Sequence, residues 1–267
     1  MMPSSSFPLV AVDVGNSRIK LGDFDHPLAE PLPHPNRAVA LELDYADDQL
    51  TSWLPKKPNE YTWSMSSVNR PTAARLIESL GRLGVPNVHM LTHAEVPLKI
   101  ELPAPERVGM DRLLNALAAR ALRARQTTPA IVVAVGSAIM VDLVSADGAF
   151  LGGSILPGID MSARALHEFT DLLPLVEVSE PQVRLGRSTV EAMQFGLYWS
   201  AIGAIRELIA RVSEGQADAD VFVTGGGAAR LIANLNQHPL RSVQFVPHLT
   251  LGGIALAMLG PSTQSPP

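Results

Sequence analysis

Residues 8–14 form an apolar run of β type, Gly15-Asn16-Ser17 interrupts it, and residues 19–24 resume in extended fashion, a pattern that predicts a β-hairpin. The proline-rich stretch 26–35 reads as loop, and 40–54 mixes apolar and acidic residues at roughly helical spacing. Residues 61–68 look like another strand. Pro71 then opens a run with apolar residues at helical spacing that stops at Gly84, which predicts an amphipathic helix over 71–83. After the proline-punctuated stretch 96–105, Leu113, Leu114, Leu117, Ala118 and Ala121 line one face of a second helix, expected over 110–125.

The second half opens as the first did. An apolar run at 130–135 turns at Gly136-Ser137, continues through 139–144 and meets an Asp147-Gly148 turn. Side by side, VAVDVGNSRIKLGDF and IVVAVGSAIMVDLVS share strand, glycine-polar turn and strand, which suggests two domains on one plan; the alternative is that two hairpins look alike by chance. A long helix over 188–212, a strand over 220–223 entering Thr224-Gly225-Gly226-Gly227, a short helix, a strand over 242–246 and a final apolar helix follow. The tail 261–267 reads as frayed. This alternation gives an α/β class with domains at 1–126 and 127–267.

Composition narrows the partners. At 46% hydrophobic and 18% charged, the chain has the makeup of a folded globular protein. A formal net charge of -5 with scattered basic residues argues against a nucleic-acid or membrane-surface binder and for a small-molecule partner. With no cysteine, disulfides, thiolate metal sites and cysteine nucleophiles are excluded. The N-terminus has no basic n-region and no segment approaches the ~20 apolar residues of a membrane span, so cytoplasm is the expected location.

Candidate chemistry gathers at the strand ends. Asp13-Val14-Gly15-Asn16-Ser17 sets a carboxylate beside a turn with exposed N–H groups, an arrangement suited to a polyphosphate and its cation; a hairpin turn with a satisfied Asp and Asn is the equal alternative. Lys20 adds positive charge there or is simply solvated. Gly136-Ser137 takes the corresponding place in the second half, and Thr224 to Gly227 end a strand where glycine lets a nucleotide approach the backbone. Each turn is weak evidence alone. Three at strand ends in this order carry weight together.

In that order the chain resembles the actin, sugar kinase and heat-shock 70 ATPase superfamily. Val108-Gly109-Met110-Asp111-Arg112 looks like the GxDR signature of type III pantothenate kinases, Gly152 to Gly158 (GGSILPG) is similar to that family's GGxIxPG segment, and Gly186-Arg187-Ser188-Thr189 resembles its GxxT element. The resemblance, over about 9–259, implies a pair of ribonuclease-H-like domains of duplicated plan (the actin-like ATPase fold) with an interdomain cleft. It also implies ATP-dependent phosphorylation of pantothenate in the first step of coenzyme A synthesis, magnesium, an activating potassium or ammonium ion, and a homodimer with pantothenate near the subunit interface.

Carried over position by position, the resemblance makes Asp111 the general base, with Arg112 for the pantothenate carboxylate and Gly109, Met110 and Thr189 on the substrate side. An ion pair of Asp111 with Arg112 capping the following helix is the structural alternative. Asp13 is the expected magnesium ligand; Val14, Gly15, Asn16, Ser17, Arg18, Ile19, Lys20 and Ser137 are the expected phosphate-side residues, and Gly225 and Gly226 flank adenosine. Gly153 and Pro157 are read as shaping residues. Two positions depart from the family pattern: Ala134 stands where an aspartate usually helps bind the monovalent cation, with Asp142 not assumed to replace it, and Leu102 stands where an aromatic residue usually packs on pantothenate. Gly227 stands where an acidic residue is frequent. Rival readings are a kinase or phosphatase of the superfamily with another substrate, and a regulatory accessory factor.

Overall fold

The computed structural model describes residues 7–25, 31–214, 219–236 and 243–260. The first apolar run becomes β1 (Leu9–Val14), buried along its whole length and paired antiparallel with β2 (Arg18–Phe24). Next come β3 (Arg37–Glu42), α1 (Asp47–Trp53), β4 (Thr62–Ser67) parallel to β1, α2 (Arg70–Arg82), β5 (His89–Met90) and α3 (Met110–Leu122). The sequence then starts over with β6 (Ala130–Val135), β7 (Ala138–Val144), β8 (Phe150–Pro157), α4 (Ile159–Glu168) and α5 (Thr189–Val212). It ends with β9 (Asp220–Thr224), α6 (Ala228–Leu235), β10 (Val243–Phe245) and α7 (Leu249–Leu259).

The expected duplication extends from the two hairpins to the whole topology. One five-stranded sheet runs β3-β2-β1-β4-β5 and the other β10-β9-β6-β7-β8. In both, three strands form an antiparallel meander, the fourth lies parallel to the first, and the fifth lies parallel to the fourth. In the first sheet Val10, Val12, Val14, Ile19 and Met65 face a core completed by Leu50, Leu76 and Leu80 of α1 and α2. The period of two then sends Ala11, Asp13, Ser64 and Ser66 to the other face, which packs against α3 and α7.

The chain divides into two compact units, 1–122 with 248–267, and 123–247. This differs from the expected division at 126/127. α3 ends at Leu122 and not at Arg125, because the buried Arg123 gives its guanidinium to the carbonyls of Thr128, Ser145 and Ala146 at 3.2, 3.2 and 2.9 Å. α7, apolar on every side and buried from Leu249 to Met258, packs on α3, β1, β2 and β4 and so belongs with the first unit.

Two further differences have tertiary causes. The stretch 40–54 is strand before it is helix: β3 pairs with β2, and Arg37 clamps the buried Asp23 through its backbone N–H (2.8 Å), Nε (2.8 Å) and Nη2 (2.6 Å). The segment read as a shaping motif is an edge strand, β8, that leads through Gly158 into α4. Residues 26–30 of the proline-rich stretch, residue 242 and the tail 261–267 lie outside the described residues.

Candidate active site

In the first unit β1 and β2 set Asp13 across from Lys20, with Lys20 Nζ 4.0 Å from Asp13 Oδ2. Asp13 is buried. Desolvation pushes its carboxyl up to about 6; Lys20 pulls it down and the nearby Asp111 pushes it up. Asp111 stands in the first turn of α3, where its Oδ1 accepts the Arg112 N–H at 2.9 Å. Burial raises its pKa, against the pull of the Arg112 N–H and charge. The Arg112 backbone N–H holds this carboxylate near Asp13, a contact distinct from the Asp111–Arg112 ion pair expected as the alternative.

Gly109 is the reason the carboxylate fits, because a Cβ there would stand 2.6 Å from Asp111 Oδ1. His93 holds the same entry to α3 from outside, its Nε2 lying 2.8 Å from the Val108 carbonyl. His248, at the start of α7, has its pKa lowered by burial, then by Lys20 and His34, so it is neutral near pH 7. No sequence signal singles out His93 or His248, which reach the site only through the fold.

The turn after β1 closes through Gly15 N–H to the Arg18 carbonyl at 2.9 Å and presents Asn16, Ser17 and Arg18 to solvent. The candidates around it are not alike. Val14 and Ile19 put their side chains in the core, which leaves only their backbone to a ligand, and Arg18 is engaged by Glu42 at 2.8 Å. Met110 is buried, while Arg112 and Leu102 are half-buried, Leu102 in the loop before the 3₁₀ turn Pro105–Arg107.

In the second unit the turn after β6 closes through Gly136 N–H to the Ala138 carbonyl at 2.9 Å. It is one residue shorter than its counterpart, since Val135 pairs with Ile139 where Val14 pairs with Ile19. Two other motifs seat on it. Gly158 donates to the Ser137 carbonyl at 2.9 Å and Gly227 to the Val135 carbonyl at 3.0 Å, so the Ser137 turn, the GGxIxPG segment and the Gly225–Gly226 turn form one assembly. Ala134 is buried on β6, and no carboxylate takes the place that Asp13 has in the first unit.

Gly225 and Gly226 differ in what they require. Gly225 has φ +100°, and a Cβ there would lie 2.3 Å from the Val135 carbonyl oxygen; a Cβ on Gly226 would meet nothing. Gly225→Ala is expected to lower stability by about 2 kcal/mol or more through strain and clash. Gly226→Ala is expected to leave the melting temperature unchanged and to weaken nucleotide binding. Thermal denaturation beside nucleotide titration checks both.

Thr189 opens α5 directly after Ser188, whose Oγ caps the helix by accepting the Glu191 N–H at 3.2 Å. It lines an open apolar groove of ≈ 440 Å³ with Leu166, Leu173, Met193 and Leu197. Among the described residues no group of three or more His, Asp or Glu could hold a metal, and no helix is long and apolar enough to cross a membrane. What the first unit offers is one buried carboxylate for a cation that keeps its other ligands, a lysine, and a second carboxylate on a helix end.

A model of the type III pantothenate kinase family matches residues 9–211. Relatives named type III pantothenate kinase include one from Acidiphilium cryptum, 39% identical over 60% of this chain and 58% of that protein. Another, from Rhodopirellula baltica, is 40% identical over 64% and 63%. The chain thus spans under two thirds of these two relatives. It spans 95% of the Agathobacter rectalis relative, at 31% identity over 93% of this chain.

Solved structures share the fold. A conserved Baf-family protein of Campylobacter jejuni, described as a transcriptional activator, superposes with TM-score 0.56 at 18% identity over 94% of this chain and 98% of that one. The activator of a 2-hydroxyisocaproyl-CoA dehydratase from Clostridium difficile does so with TM-score 0.51 at 12% identity over 94% and 93%. The fold is the duplicated, actin-like ATPase fold, and on the family match and the near full-length relative the chain belongs to the type III pantothenate kinase family.

Proposed function

We propose that the protein transfers the γ-phosphoryl group of ATP to the primary hydroxyl of pantothenate, giving 4′-phosphopantothenate for coenzyme A synthesis. The observation that carries this reading is the placement of Asp111. In a chain of this family it stands on the first turn of α3, beside the Asp13–Lys20 pair. As the pantothenate oxygen bonds to the γ-phosphorus, the bond from phosphorus to the bridging oxygen of ADP breaks, and the hydroxyl proton passes to Asp111. The raised pKa of Asp111 suits that acceptance.

Arg112, next to Asp111, would grip the pantothenate carboxylate, with Gly109, Met110, Leu102 and Thr189 on the substrate side. Lys20 and the backbone and polar groups of Gly15, Asn16 and Ser17 would hold phosphate oxygens. Val14 and Ile19 would contribute backbone only, and Arg18 would first have to leave Glu42. Ser137 would donate to phosphate, with Gly225 and Gly226 against adenosine. A single buried carboxylate fits magnesium, which keeps water and phosphate oxygens as most of its ligands, and Asp13 would hold it. When bound, that ion neutralises phosphate charge.

The protein is further proposed to act as a cytoplasmic homodimer. Phe169, Leu172 and Leu185 are 83%, 85% and 71% exposed, and with the apolar groove that Thr189 lines they offer a surface that a second copy would cover. Sedimentation of the purified protein is expected to show a two-chain species.

The kinase reading is tested by incubating purified protein with ATP, magnesium and pantothenate and following phosphopantothenate. Product is expected. A folded protein that makes none under any cation condition overturns the reading. Because Ala134 supplies no carboxylate, the rate is expected to be the same in sodium, potassium and ammonium salts. Ala134→Asp is expected to introduce a dependence on potassium.

A further inference from the structure

Two hydroxyls in the first unit, Ser64 Oγ and Ser66 Oγ, are fully buried and have no hydrogen-bond partner among the described residues. Leaving a buried hydroxyl unmatched costs free energy, so each calls for an explanation. Both lie on the face of β4 turned to α3 and α7, opposite Trp63 and Met65, which face the core of α1 and α2. Their neighbours on β1 differ. The parallel register sets Ser64 beside Ala11, which offers no acceptor, and Ser66 beside Asp13, whose carboxylate is an acceptor.

We propose that Ser66 is a positioning residue for Asp13, its hydroxyl donating to the carboxylate when the cation and phosphates are bound. Paired residues of adjacent parallel strands point to the same face about 4.8 Å apart, which puts Ser66 Oγ within one rotamer change of the Asp13 oxygens. A donor from β4 on one side and Lys20 from β2 on the other leave the carboxylate one orientation. Asp111 repels Asp13 and Gly109 keeps Asp111 in place, so that orientation also sets the separation of the two acidic groups. Ser64 has the same chemistry and the same burial and touches none of this.

The inference rests on the kinase reading for the use of the cation, but its test does not need turnover. Ser66→Ala, Ser66→Cys and Ser64→Ala are compared with wild type by calorimetric titration of ADP at increasing magnesium concentrations, with a melting curve for each. Cysteine keeps the volume and is a poor donor, which covers the case in which alanine impairs folding. Both Ser66 variants are expected to need about tenfold more magnesium for half-maximal nucleotide binding, the loss of one hydrogen bond to a charged group. Their KM for pantothenate is expected to stay at the wild-type value.

Ser64→Ala is expected to match wild type in every binding measurement and to melt no lower. If Ser66 variants need no more magnesium than Ser64→Ala, or if the wild type binds ADP with no dependence on magnesium, the inference is overturned. If wild type binds magnesium and ADP but phosphorylates no pantothenate, the kinase reading fails while the serine comparison still decides this one.

Discussion

Asp111→Asn is expected to lower kcat for pantothenate phosphorylation by about 10²–10⁴-fold, the range for removal of a general base, and to leave ADP binding as in wild type. Asparagine keeps an oxygen for the Arg112 N–H, so the first turn of α3 and its seat against Gly109 are preserved, and the loss is of proton acceptance alone. Because burial raises the Asp111 pKa, the wild-type rate is also expected to fall on acidification at a higher pH than an ordinary aspartate would give. Single-turnover measurements over a pH series check both points. An Asn variant with wild-type kcat would remove Asp111 from the mechanism.

Asp13→Asn is expected to abolish magnesium-dependent nucleotide binding and, in the same protein, to raise its stability. Desolvation moves the Asp13 carboxyl from 3.8 to about 6 in the folded chain. A raised carboxyl pKa contributes stability that is fully present below the unfolded value and lost as pH rises through the folded one. At pH 7 the ionised group therefore destabilises the empty protein by an amount on the order of 1–3 kcal/mol, a figure in which the attraction of Lys20 is already counted. The Asn variant escapes that term. Its advantage in denaturant midpoint should be absent near pH 4 and grow as pH rises through 6. An Asn variant less stable than wild type at pH 7 would show that the Lys20 pairing outweighs the burial.

Much of the duplicated plan was legible because it is local. The runs at 8–14 and 130–135 are too apolar for anything but buried strands, and glycine with a polar neighbour marks each turn. The GxDR match likewise pointed to Asp111 and Gly109 as a unit, for which the 2.6 Å approach gives the reason. What the residues did not reveal depends on contacts distant along the chain. β3 has no strong pattern of its own and exists through pairing with β2 and the Asp23–Arg37 clamp. The same is true of the seat that Gly158 and Gly227 take on the second glycine turn, and of His248 near Lys20. Ser66 illustrates the limit well: a serine within a strand carries no signal until the register sets it beside Asp13.

The return of α7 to the first unit has a consequence for biogenesis. The second unit is one uninterrupted stretch, 123–247, and holds all its partners once that stretch has left the ribosome. The first unit is begun earlier and finished later, because the face of β1 that carries Asp13 stays uncovered until Leu249–Leu259 arrives. Nascent chains halted before residue 249 would thus be protected from protease in their second half while their first half is still digested. On that order of maturation, which runs against the order of synthesis, Asp13, the proposed cation ligand, is among the last groups to be enclosed.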